Sequence, residues 1–212
     1  MQKKVNLLNN KLYIQSYCHI KNEQLWLNGK DIFNDEQKND LKGFLKNSYK
    51  NQKINYPKFF KMDNLSKLAI LASELVLSKI DVQEYDNNIA LVFSNNASSL
   101  DTDRKHQKTI NDLDDYFPSP AIFVYTLPNI GIGEISIKHQ LKSENAFFVF
   151  EEYNAGFHHN YENSLIQNNK SKAVLGGWVN VDKENYNAFL YLVSKHGTME
   201  HTEQNLLKLY KE

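Results

Sequence analysis

Apolar residues fall into runs of two kinds along the chain, and each kind predicts its own element. Leu12, Tyr13, Ile14 and Tyr17 mark a strand over Lys11 to Ile20. Asp63 or Asn64 is a good N-cap for a helix to about Lys79, whose apolar residues from Leu65 to Leu77 surround it, so it should be largely buried. Ile89 to Phe93 is an uninterrupted apolar run, the pattern of a central strand covered on both faces. A second helix is predicted over Pro128 to Leu141, with Ile130, Ile137 and Leu141 on one face. Gly131 and Gly133 inside it imply close approach of another backbone. Ala146 to Phe150 is the most strand-like segment. A helix over Asn154 to Gln167 follows, with Phe157, Tyr161 and Leu165 at four-residue spacing. Strands over Lys172 to Val179 and Ala188 to Val193 and a short amphipathic helix over Thr202 to Tyr210 complete the pattern. Residues 25–56 are polar and read as a peripheral excursion, with a helix near Asp35 to Ser48, and Ser94 to Asp115 is polar with one or two short helices. The alternation predicts one α/β domain over 1–212, a three-layer α/β/α sandwich around a mixed five-stranded sheet.

Composition narrows the class. The 212 residues carry 25 basic and 25 acidic side chains, which cancel to zero net charge. Phosphate-backbone binding needs a basic excess or stripe, so a nucleic-acid partner is not expected. Arg104 is the only arginine, which limits bidentate anion recognition to one place. Cys18 is the only cysteine, so there is neither an intramolecular disulfide nor a cysteine-based zinc site, and a reducing compartment fits. Met1 to Asn10 lacks the apolar run of a signal peptide, and no stretch reaches the ~20 apolar residues of a membrane span. The expectation is a cytoplasmic protein without cofactor or metal.

Motifs of common catalysis are sparse. Gly131-Ile132-Gly133 lacks the third glycine of a dinucleotide fingerprint, and neither a Walker-type loop nor a GxSxG elbow occurs. His158 and Glu162 can share a helix face as a partial metal site, but a third ligand is not evident, and a solvated or interface face is the stronger reading. Glu151 and Glu152 close the apolar strand. Adjacent strand residues point to opposite faces, so at most one of the pair enters a given pocket.

Four stretches resemble the N-terminal half of a β-ketoacyl-ACP synthase of the thiolase superfamily. Lys61-Met62-Asp63-Asn64 resembles the family's K-M-D-R entry to its first buried helix, and Ile89 to Ser99 the strand and small-residue turn that follow. Asn129 to Ile137 resembles the N-x-x-x-G-x-x-S-I helix and is the most specific match. Ala146 to Trp178, with Gly176-Gly177, resembles the strand, helix and V-x-x-A-G-G segment. Together these stretches cover about three-fifths of the chain in the family's order.

The resemblance implies a nucleophilic cysteine at the turn after Phe150. An ungapped count places that position on Glu152, with Glu151 or Tyr153 as alternatives. None is a cysteine, and a carboxylate cannot replace a thiolate in forming an acyl thioester. The family's two catalytic histidines come from its second half, and the chain ends where that half would begin. The resemblance therefore implies a non-catalytic chain-length-factor-type subunit. It would pair as a heterodimer with a full-length, cysteine-bearing ketosynthase, or as a homodimer, and meet acyl carrier protein only indirectly. The implied pathway is fatty-acid or polyketide synthesis in bacteria, with polyene pigments (aryl polyenes, flexirubins) as product. The family pairs through the strand before the nucleophile, so Phe148, Phe150, Tyr153, Phe157 and Tyr161 are candidates for the interface and acyl tunnel. Two other readings are a decarboxylase or hydrolase acting through Glu152 with His158 or Tyr153, and a self-associating binding module on the face that a second half would cover.

Overall fold

The computed structural model describes residues 11–37, 40–112, 114 and 116–212. The first ten residues, read above for a leader, lie outside that set. The chain begins with strands β1 (Tyr13–Lys21), β2 (Gln24–Leu27) and β3 (Lys30–Asn34), then helices α1 (Leu41–Asn51) and α2 (Asn64–Leu77). Strand β4 (Ile89–Asn95) leads to α3 (Leu100–Lys108), α4 (Pro120–Phe123) and α5 (Ile130–His139). The chain continues through β5 (Asn145–Val149), α6 (Ala155–Gln167), β6 (Ala173–Asp182), β7 (Asn185–Ser194), β8 (Met199–Glu200) and α7 (Glu203–Lys211). Local chemistry fixes the helix starts. Asp63 caps α2 by accepting from the Ser66 N–H at 2.9 Å, and Asn154 caps α6 by accepting from the Phe157 N–H at 2.9 Å.

The five strands that the apolar pattern predicts are all present, in the order β5-β4-β6-β7-β1. β4 runs parallel to β5 and β6, whereas β7 runs antiparallel to both β6 and β1, so the sheet is mixed. The expected count of five is corrected: among the described residues the sheet has eight strands. β2 and β3 extend it beyond β1 as a hairpin, and β8 pairs with the start of β1. These additions are short, with four residues in β2, five in β3 and two in β8. The 25–56 stretch, expected to be peripheral, also supplies α1, whose Phe44 and Leu45 are fully buried in the core.

Strand alternation divides the interior into two layers. Ile89, Leu91 and Phe93 of β4 face one side with Leu175, Leu190 and Leu192, and α1, α2 and α5 cover them. Ala90 and Val92 face the other side with Val174, Tyr191 and Val193, beneath α6 and α7. Leu206 and Leu209 of α7 are fully buried there. A Cβ on Gly131 would meet Ala69 and Ser66 of α2 at 3.4 Å, which confirms the close approach at that glycine, while Gly133 faces open space.

Candidate functional site

The turn between β5 and α6 carries the position that the resemblance assigns to the nucleophile. Glu151 and Glu152 are exposed there, at the rim of a cleft of about 410 Å³ lined also by Phe150, Asn154, Glu203 and Leu207. Tyr153 turns inward instead. Its ring is 5% exposed, and its hydroxyl lies 3.1 Å from that of Tyr191. Burial, and then the charge of Glu162, push the Tyr153 hydroxyl well above the usual tyrosine range, so it stays protonated. Cys18 lies under α2, its thiol donating to the Ala72 carbonyl at 3.4 Å, and burial pushes that thiol up to about 12. A thiol held there is neither exposed nor ionised at neutral pH, so it is no nucleophile.

Among the described residues β5 is the last strand of the sheet, bonded to β4 on one side and open on the other. Its residues alternate, with Phe147 packed toward α2 and Phe148 toward α6. Phe148 meets Phe157 at 4.6 Å and Tyr161 at 5.4 Å between ring centroids, and Phe150 meets Phe157 at 5.0 Å. Four of the five aromatic candidates thus form one partly exposed cluster beside the open strand edge. Tyr153 does not join them. Its ring packs on His158, Trp178, Phe189 and Tyr210, deeper in the layer.

Beneath α6 lies a buried polar network that the sequence pattern did not foresee. His158 and Glu162 share a helix face, but that face points into the sheet, and both side chains are fully buried. His158 Nδ1 lies 2.9 Å from Glu162 Oε1, and its Nε2 lies 2.8 Å from Ser94 Oγ on β4. A carboxylate only accepts, so the Nδ1–H donates. Tyr191 of β7 donates its hydroxyl to the same Glu162 oxygen at 3.0 Å. His201, in the segment before α7, places Nε2 3.0 Å from Glu162 Oε2 as an ion-pair contact. Gly176 makes the room, since a Cβ there would stand 2.0 Å from Glu162 Oε1. Among the described residues no group of three or more His, Cys, Asp or Glu side chains is placed to hold a metal ion.

Ser94, His158 and Glu162 have the distances of a nucleophile–base–acid triad. All three are fully buried, and none lines the cleft at the Glu152 turn. The arrangement instead ties β4, β7, α6 and the α7 segment together. Burial alone would raise the Glu162 carboxyl, but the hydrogen bonds and charges of His158 and His201 reverse this and hold it below its ordinary value of 4.5. A depressed carboxyl contributes stability that is present above the unfolded value and lost as pH falls through the folded one. Urea midpoints are therefore expected to fall as pH drops below about 4.5, and Glu162→Gln is expected to flatten that acid limb. An unchanged limb in the variant would show that Glu162 does not drive it.

No protein-family model and no curated protein matches the chain in sequence. Solved structures do match. The chain is similar to the ishigamide ketosynthase/chain length factor at 13% identity and a TM-score of 0.61, over 87% of this chain and 62% of that one. A chain from the complex of the ketosynthase ApeO with its chain length factor ApeC, from Xenorhabdus doucetiae, matches at 12% identity and a TM-score of 0.59, over 95% of this chain and 90% of that one. The complex AntDE:AntF, a type II PKS acyl-carrier protein with its ketosynthase bound to the hexaketide, matches at 14% identity and a TM-score of 0.59, over 93% and 64%. The chain thus spans less than two-thirds of the first and third of these and nine-tenths of the second. At such identities the likeness is one of fold, and it agrees with the strand order and helix placement described above. The chain therefore has the fold shared by these ketosynthases and chain length factors.

Proposed function

We propose that this protein is a non-catalytic, chain-length-factor-type subunit that pairs with a cysteine-bearing ketosynthase through β5. The open, aromatic edge of β5 carries the proposal. A strand edge left open among the described residues, in a strand with neither charge nor proline, invites addition of another strand. The Phe148–Phe157 cluster beside it supplies the aromatic contact surface typical of an interface core. Phe148, Phe150, Phe157 and Tyr161 then wall the end of the acyl tunnel, where bulk shortens the product. Tyr153, turned into the layer, fills space next to it. A polyketide of the polyene-pigment class, made in the cytoplasm of a bacterium, is the product context, and the carrier protein docks on the partner. In the ApeO–ApeC complex, a ketosynthase and a chain length factor occur together.

The paired enzyme supplies the chemistry in this reading, so Glu152 has no step to perform. Glu152→Ala is expected to leave condensation by the reconstituted pair within about twofold, the range of a surface substitution away from the reacting atoms. The isolated chain is expected to leave malonyl-ACP unchanged. Loss of carbon dioxide from malonyl-ACP that depends on Glu152 would instead establish the decarboxylase reading.

A further inference from the structure

A second cleft, of about 380 Å³, lies where α1, α2, α3 and the 57–61 turn converge, and it shares no residue with the β5 edge or the Glu152 turn. Each of those elements sends one lysine to it: Lys42, Lys67, Lys105 and Lys61. In a chain of zero net charge this is a local concentration of cations. The one carboxylate in the lining, Asp63, is already engaged. Its Oδ1 accepts from the Ser66 N–H at 2.9 Å, and its Oδ2 accepts from the Thr102 hydroxyl at 2.8 Å. Lys105 reaches Asp101 at 2.6 Å, but Lys42, Lys61 and Lys67 have no carboxylate partner among the described residues. Lys67 is the informative one, because it is only 9% exposed. Lys58 and Lys138, by contrast, each sit within 3 Å of a glutamate.

A lysine whose stem is buried and whose ammonium stands beside like charges favours an anion joining it. We propose that this cleft is a seat for a phosphate group, carried on an organic ester whose substituent lies against Met62, Ile122 and Tyr125. Lysines act as point charges for phosphate, and three of them without protein partners suit a dianion. The cleft is larger than a bare phosphate and lies within the range of small-molecule sites. Burial, followed by the charge of Lys42, lowers the Lys67 pKa against the opposing pull of Asp63, with a smaller push from Lys105, and a bound anion would reverse that shift.

Calorimetric titration of the intact chain with inorganic phosphate and with phenyl phosphate, at ionic strength held constant with sodium chloride, tests this. Saturable binding of both is expected, and Lys67→Met is expected to weaken it by about tenfold or more. Lys61→Met, at the rim, is expected to weaken it less and guards against a folding defect in the first variant. Tighter binding of phenyl phosphate supports the ester as occupant. Tighter binding of inorganic phosphate overturns the ester and leaves the free ion. No saturable binding of either, or binding unchanged in both lysine variants, overturns the seat itself.

Discussion

Glu162→Ala is expected to destabilise the fold by about 3–5 kcal/mol, the range for removing one member of a buried charge network. The substitution strips the acceptor from His158 and Tyr191 and the carboxylate contact from His201, and it opens a cavity under α6. Urea unfolding followed by circular dichroism at pH 7 checks the magnitude. The network also makes a sharper statement. Gly176→Ala alone drives a methyl group into the Glu162 carboxylate and should be severely destabilising. In the Glu162→Ala background that space is vacant, so the methyl group should cost far less. The double variant is therefore expected to be more stable than the sum of the two single losses, by more than about 1 kcal/mol. Simple additivity would mean that Gly176 is required for some reason other than Glu162.

Val149→Asp is expected to weaken association with the partner synthase roughly a hundred-fold, the effect of about 3 kcal/mol for a charge buried unpaired in an interface. Val149 is 54% exposed at the end of β5, so the isolated chain should tolerate the carboxylate with little change in stability. That separation makes the variant informative: normal unfolding with lost pairing places the interface at this edge. Surface plasmon resonance against the immobilised synthase measures the loss. Undiminished affinity would move the interface away from β5.

Much of the fold was legible because burial leaves period and composition in the sequence. The run Ile89 to Phe93 is apolar on both faces because β4 is covered on both, and the helix starting at Asp63 is apolar all round because α1 and α5 flank it. β2, β3 and β8 were missed since they are only four, five and two residues long. The β5 edge was legible through resemblance and aromatic content. The Glu162 network was not. His158 and Glu162 look like a surface pair until the apolar residues Leu165 and Ile166, on the same buried side, fix which way α6 faces. His201 joins through tertiary structure alone, 39 residues beyond Glu162. The one local signal was the Gly176-Gly177 pair inside a strand, the mark of a close approach from another element. The lysine cleft was hidden for a similar reason: net charge averages over the molecule, while four elements distant in sequence gather its lysines at one place.

The central claim is pairing of this chain with a cysteine-bearing ketosynthase through β5. Co-expression with the ketosynthase from the same gene neighbourhood, followed by size-exclusion chromatography with light scattering, tests it most directly. A stable complex with one copy of each chain is expected, and the Val149→Asp chain should elute apart from the synthase. Elution of the unaltered chain as a monomer, with the synthase in a separate peak as its own homodimer, would contradict it.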